Sequence, residues 1–417
     1  METLGFQYDS IKTVGKREID NFPDASTPLY TLWNHHSNNR FLDLGESDFI
    51  IGTPMKIFNL LNPCFIYWNN NIVISWRKEA GLIRIVLIDP NLLGLSNQTT
   101  LPHRHSKHRV FSHTIRHHVS ALKHFNFNND SLPYVEMTGE DPRVITLGNF
   151  SSQTLYVAYC QRYHRANPEL WMSYAQVLFV DGSLKLDTTI NFNYKLESMK
   201  EQKNWSPFVV NNSQLLFIQS IDPHRIVHEI KVSYQYFKGL FCKGTSKMSC
   251  IVFVRQTAHK QHVFGETLYL SNGPAGNLSR VWQYGELRGG TPALLVHTAD
   301  SDQPRYLAFF HSSNMPPRTG SVLQTYAMGA YTFCAKPPYR ILKMSSKPIV
   351  HKSMYSGNWT NLPLSYYHID YVVFPMSLIL DGNTIYLTYG KQDSEGWMIR
   401  IDMRKMIDSM VVIETTC

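Results

Sequence analysis

Apolar residues in this chain come in short runs broken by Asn, Asp and Gly, the pattern of strands joined by tight turns. Cys64 to Trp68 and Ile72 to Trp76 flank Asn69-Asn70-Asn71. Val144-Ile145-Thr146-Leu147 and Thr154 to Tyr159 flank Gly148 to Gln153. Phe208-Val209-Val210 and Leu215 to Ile218 flank Asn211-Asn212-Ser213. Ala293 to Val296 and Tyr306 to Phe310 flank a polar loop expected from Ala299 to Pro304, and Ser377 to Leu380 and Ile385 to Tyr389 flank Asp381-Gly382-Asn383.

A proline opens each hairpin, as Asn62-Pro63, Asp141-Pro142, Ser206-Pro207, Thr291-Pro292 and Phe374-Pro375, at spacings of 79, 65, 85 and 83 residues. A third apolar run follows most hairpins: Leu82 to Ile88, Ala175 to Val180, Ile226 to Tyr234, Gly329 to Phe333 and Trp397 to Ile401. Repetition at a roughly fixed period indicates a repeat architecture, and radially arranged units of about four antiparallel strands make a propeller. The expectation is an all-β, five-bladed propeller, with a lead-in over residues 1–48 and one domain over 49–417. The competing reading is a pair of irregular β-sandwiches with coincidental prolines.

Composition supports a strand-rich globular chain: of 417 residues 17% are charged and 13% aromatic. No apolar run reaches the length of a membrane span, and Met1 to Gly5 lacks the features of a signal peptide. The expectation is a soluble chain, with the cytoplasm slightly favoured. Net charge is +8, concentrated between His103 and Lys123. That segment has no zinc-type spacing with cysteines and only Phe111 for base stacking, so it reads as a solvated inter-blade segment. Neither a metal nor a nucleic-acid partner is expected. Six cysteines are too few for a disulfide scaffold, although Cys242 and Cys250 flank a turn and could bridge.

In a propeller the strand ends around the central channel converge on a pocket. The X-Pro positions and the ends of the following hairpins collect Asn62, Arg77, Asp141, Arg143, Lys203, Asn204, Asp222, His224, Arg225, Arg288, His311, Tyr389 and Asp393. A few carboxylates among many cations suit an anionic substrate beside a general acid. Taken singly each has a plainer reading: Asp141 as a turn residue, Asp222 to Arg225 as a salt-bridged loop, Arg288-Gly289-Gly290 as a glycine turn.

Glu140-Asp141-Pro142-Arg143, Asn62-Pro63 with Arg77, and Phe374-Pro375 followed by Tyr389-Gly390 and Asp393 resemble the five-bladed family of β-mannoside phosphorylases, β-1,2-mannosidases and related β-1,2-mannosyltransferases. The resemblance spans roughly residues 50 to 405 and is weakest in the middle blades, where Lys203 to Phe208 and Ile221 to Ile226 depart from the pattern. It implies inverting chemistry with Asp141 as the acid. With residue chemistry, it assigns Asn62, Arg77, Asp222, Arg288, His311, Tyr389 and Asp393 to the carbohydrate substrate. Arg143, Lys203, His224 and Arg225 are assigned to phosphate. Phosphorolysis dispenses with the second carboxylate that inverting hydrolysis needs. No cofactor is expected beyond inorganic phosphate or a sugar-phosphate donor as co-substrate. A hydrolase pairing Asp141 with Asp222 or another acid, or a non-catalytic glycan-binding propeller, stands as the alternative.

Overall fold

The computed structural model describes residues 45–58, 60–69, 71–79, 81–90, 118, 121–122, 125, 132–148, 153–163, 169–192, 204–229, 261–263, 265–271, 278–298, 301–314, 325–354, 372–392 and 394–417. The fold begins with β1 (Met55–Phe58), which is set aside by the chain for its last blade. The first blade is β2 (Leu61–Trp68), β3 (Asn71–Glu79), β4 (Leu82–Ile88) and β5 (Tyr134–Thr138). The second is β6 (Glu140–Leu147), β7 (Thr154–Tyr163), β8 (Glu169–Val180) and β9 (Ser183–Phe192). The third has β10 (Ser206–Val210), β11 (Gln214–Ser220) and β12 (His224–Glu229). The chain then lends β13 (Gln261–Val263) to the outer edge of the second blade, and β14 (Gly265–Ser271) completes the third.

The fourth blade holds β15 (Glu286–Gly289), β16 (Leu294–Thr298), β17 (Ser301–Asn314), β18 (Thr325–Cys334) and β19 (Ile341–Met344). The fifth has β20 (Val373–Asp381), β21 (Thr384–Lys391) and β22 (Glu395–Asp402), with β1 on its outer edge. A short helix α1 (Met403–Asp408), capped by the Asp402 side chain, turns the chain toward β23 (Val411–Val412) on the edge of the fourth blade. The five sheets form a five-bladed β-propeller, as the hairpin periodicity predicts.

Each central strand is buried on both faces, so its sequence is continuously apolar rather than alternating. In β3, Ile72 and Ile74 pack with Tyr386 and Met398 of the fifth blade, while Val73 packs with Val144 and Leu155 of the second. Successive side chains point to opposite faces, so neighbouring residues serve different inter-blade cores. The second and third blades share a further core, with Tyr174, Trp205 and Phe217 in ring contact. Another runs through the third, fourth and fifth blades, where Phe208 meets Phe333 edge-on at 5.5 Å between ring centres.

Three features depart from the sequence reading. The residues that begin the expected domain at 49 close the fifth blade, and the first blade opens only at Leu61: Ile50 bridges to Ile401, and Met55 pairs with Met398. Pairing an N-terminal strand with the last blade ties the ring shut, and a local pattern does not reveal so long-range a contact. The expected Ala299 to Pro304 loop is shorter, because β17 starts at Ser301 opposite Thr298. A register shift between Val296 and Thr298 accommodates Pro304, which has no N–H for the ladder. Finally, Cys334 is joined to Cys417, while Cys64 and Cys160 are free and buried. Cys242, Cys250 and most of the basic segment from His103 to Lys123 lie outside the described residues.

The disulfide closes an 83-residue separation and pins β23 against β19. Cys417 is exposed, so Cys417→Ser removes the bond with little loss of packing. It should cost about 2–4 kcal/mol in urea unfolding, and reductant should produce the same loss in the parent. Among the described residues, no helix is long and apolar enough to cross a membrane.

Candidate active site

The antiparallel order of each blade puts the start of its first strand, the end of its second and the start of its third at one end of the propeller. Leu61 pairs with Arg77, Glu140 with Cys160, Ser206 with Ile218, and Val373 with Lys391. Asn62, Arg77, Asp141, Asp222, His224, Arg225, His311 and Tyr389 therefore share that end. Arg288 joins them, because it pairs with His311. Lys203 and Asp393 lie outside the described residues.

Asn62 and Asp141 occupy equivalent positions, each just before a proline and each at a bulge where the first strand leaves its partner. Their φ angles are 49° and 50°, and Asn204, leading into the third blade, has 67°. This left-handed region is open to few residues other than Gly, and Asn and Asp enter it most readily. The bulges turn the two side chains to each other: Asn62 Nδ2 donates to Asp141 Oδ1 at 2.9 Å. Asp141 is 9% exposed, and no hydrogen bond to its Oδ2 occurs among the described residues. Gly390 makes this approach possible, since a Cβ there would overlap Asn62 Oδ1.

Arg143 lies beneath the pair, wholly buried. Its Nη1 donates to Asp141 O at 2.9 Å, its Nη2 to Asn204 Oδ1 at 3.2 Å, and its Nε to Gly290 O at 2.5 Å. Its guanidinium stands 5.5 Å from the centre of the Phe374 ring. One side chain thus joins the second, third, fourth and fifth blades and floors the channel. Burial lowers its pKa and the Asp141 carboxylate opposes that shift, but a guanidinium remains charged. The close approach requires the bare backbone of Gly290, where a Cβ would run into Phe309 O. The expected contact between Arg143 and phosphate is therefore corrected: the side chain is wholly buried, with one donor from each of its three nitrogens bonded to backbone carbonyls or to Asn204.

His224 is corrected too. Its ring is shut between Phe333 and Tyr331, and its Nδ1–H donates to Tyr339 O at 2.9 Å. Burial pushes its pKa down to about 4, so at neutral pH it is an uncharged core residue with nothing to offer phosphate. The shift has a stability consequence. In the unfolded chain His takes up its proton near pH 6.5, in the fold only near 4, so the unfolded state binds more protons between these values. Stability is full above pH 6.5 and drains away as the pH falls toward 4, by on the order of 3 kcal/mol. Urea midpoints across this window should show the loss, and His224→Phe should flatten it.

Arg225, the next residue, alternates to the other face of β12. It is partly buried, and among the described residues its Nε has no hydrogen-bond partner. Arg77 Nη2 lies 3.4 Å from Glu140 Oε1, and Arg288 Nη2 is 2.8 Å from Glu286 Oε2. His311 is buried, with Nδ1 donating to Gly289 O at 2.7 Å and its ring 4.4 Å from that of Phe374. Tyr389 is likewise fully buried, opposite Pro375. Asp222 is partly buried in the turn before Pro223. His311 and Tyr389 are thus buried side chains at the Asp141 end of their blades.

Lys391 escaped the sequence reading. It is 3% exposed, donates from Nζ to Ser353 O at 2.7 Å, and lies 4.5 Å from the centre of the Trp397 ring. Burial pulls its pKa down to about 8, partly countered by Glu395. Its register in the fifth blade matches that of Arg77 in the first, a repeat signal by which it could have been found.

Neither a family model nor a curated protein matches this chain. Solved structures do overlap it. A mannose phosphorylase from Leishmania mexicana, in complex with phosphate ion, is 12% identical, covers 93% of this chain and 97% of its own, and has a TM-score of 0.43. A GDP-Man-dependent mannosyltransferase from the same organism is 11% identical, at 91% and 96% coverage and a TM-score of 0.42. A glycosyl hydrolase from Bacteroides ovatus is 14% identical, at 85% and 87% coverage and a TM-score of 0.41. Likeness at this level assigns neither a family nor an activity, and the functional reading rests on the residues of this chain.

Proposed function

We propose that this protein is an inverting carbohydrate-active enzyme that moves a mannosyl unit between a β-mannoside and phosphate, or from a phosphate-bearing sugar donor, with Asp141 as the general acid. The observation that carries the proposal is the Asp141 carboxylate, held at Oδ1 by Asn62, on a backbone whose carbonyl accepts a hydrogen bond from the buried Arg143. The mannoside as substrate comes from the resemblance of Glu140 to Arg143 and the final blade to mannoside-active propellers.

In the proposed reaction Asp141 Oδ2 gives its proton to the glycosidic oxygen, directly or through a sugar hydroxyl, as the bond from that oxygen to the anomeric carbon breaks. A phosphate oxygen attacks the anomeric carbon from the opposite face. The products are an α-configured sugar 1-phosphate and the freed alcohol, and the reverse direction is synthesis. Arg225 supports phosphate as the nucleophile: it is a partly buried cation at the same end of the propeller, with its Nε lacking a partner among the described residues. A guanidinium in that state suits a phosphate oxygen.

The test is sugar 1-phosphate release from β-mannosides, followed by phosphorus NMR. Arg225→Ala should raise the KM for phosphate by about 10–100-fold, the worth of one charge-assisted hydrogen bond, and barely change the KM for the mannoside. An unchanged phosphate KM removes Arg225 from the site.

A further inference from the structure

Each first strand runs away from the Asp141 end, so Trp68, the last residue of β2, lies at the opposite end of the propeller. A cavity of 280 Å³ opens there between the first and second blades, lined in part by Trp68, Asn69, Asn71, Gln153, Gln176 and Phe179. Among the described residues, none in the lining carries a charge. Trp68 Nε1 donates to Gln153 O at 2.9 Å, and Asn71 Nδ2 to Asn69 O at 3.0 Å. Among the described residues the side-chain amides of Asn69, Gln153 and Gln176 make no hydrogen bond. Phe179 is 46% exposed at the rim.

Asn69 is exposed, and Gln153 and Gln176 are partly buried in the cavity lining. Three uncommitted amides in one cavity offer donors and acceptors together, and hydroxyl groups can use both. An aromatic ring beside them provides an apolar surface for the C–H face of a sugar. Among the described residues of the lining an anion would meet no cation, and a cation no carboxylate. The volume lies just below the usual range of small-ligand sites, about 300–1,000 Å³, which suits one ring and not an extended chain.

We propose that this cavity is a second, non-catalytic site for a neutral saccharide, taking one sugar ring. It is independent of the reaction assigned to Asp141, from which it is separated by the length of a blade strand.

Hydrogen exchange of the Asp141→Asn protein, with mannobiose at about 10 mM, tests it at the weak affinity expected of a single-ring site. Exchange should slow several-fold around Trp68–Asn71 and Gln176–Val180. Phe179→Ala, at an exposed position that does not threaten folding, should abolish this slowing. Gln176→Glu, which adds a charge, should weaken it. Any slowing at Asn62 and Asp141 should persist in both variants. Slowing at the far end alone would uphold this site while counting against the proposed catalytic one. The inference is overturned by no slowing at the far end, or by slowing that survives both substitutions.

Discussion

Asp141→Asn is expected to fold as the parent does and to lose about 10²–10⁴-fold in turnover, the usual contribution of a positioned proton donor. The amide nearly matches the carboxyl in shape and can still meet Asn62, so the substitution removes the proton and little else. A substrate that needs no protonation separates loss of the acid from damage to the site. A mannoside with a nitrophenolate leaving group should retain far more of its rate in Asp141→Asn than an alkyl mannoside does. Equal losses on both would mean that the side chain serves binding or packing, and not proton transfer.

Arg143→Met should destabilise the fold by about 3–5 kcal/mol, the range for removing one partner of a buried charge. Methionine fills part of the volume but leaves Gly290 O, Asp141 O and Asn204 Oδ1 without their donor at the junction of four blades. Each stranded acceptor carries its own desolvation cost, about 1–3 kcal/mol. Denaturant unfolding of the parent and the variant measures the difference. Arg143→Lys keeps the charge but cannot span the three acceptors, so it should fold with a smaller loss. If Arg143 positions Asp141, the lysine variant should lower kcat and leave the KM for the mannoside nearly unchanged. A purely structural role would leave kcat intact in the folded fraction.

Much of this architecture is legible from the chain because its devices are local. Asn69 to Asn71, Asn211 to Ser213 and Asp381 to Asn383 mark their turns by residue type, and all three prove to be the first turn of a blade. The equivalence of Asn62 and Asp141 is legible because a proline follows each and few residues besides Asn and Asp enter the left-handed backbone found there. Non-local features are not legible in this way. The closure of β1 onto β22 and the bond between Cys334 and Cys417 join distant segments without a local signal.

The direction in which a charged side chain points is equally hidden. His224 and Arg225 are neighbours with similar chemistry, yet alternation along β12 sends one into an aromatic core and leaves the other partly open. Arg143 reads as a ligand for phosphate until Asn204 and Gly290, brought from other blades, are seen to accept from it in a wholly buried setting.

The most direct measurement is turnover of β-mannosides by the purified parent protein, with and without inorganic phosphate, reading sugar 1-phosphate and free mannose together. The account predicts sugar 1-phosphate of inverted configuration when phosphate is present, and no free mannose in its absence. Free mannose released equally with or without phosphate would contradict it, making the protein a hydrolase and requiring a second carboxylate across the channel from Asp141.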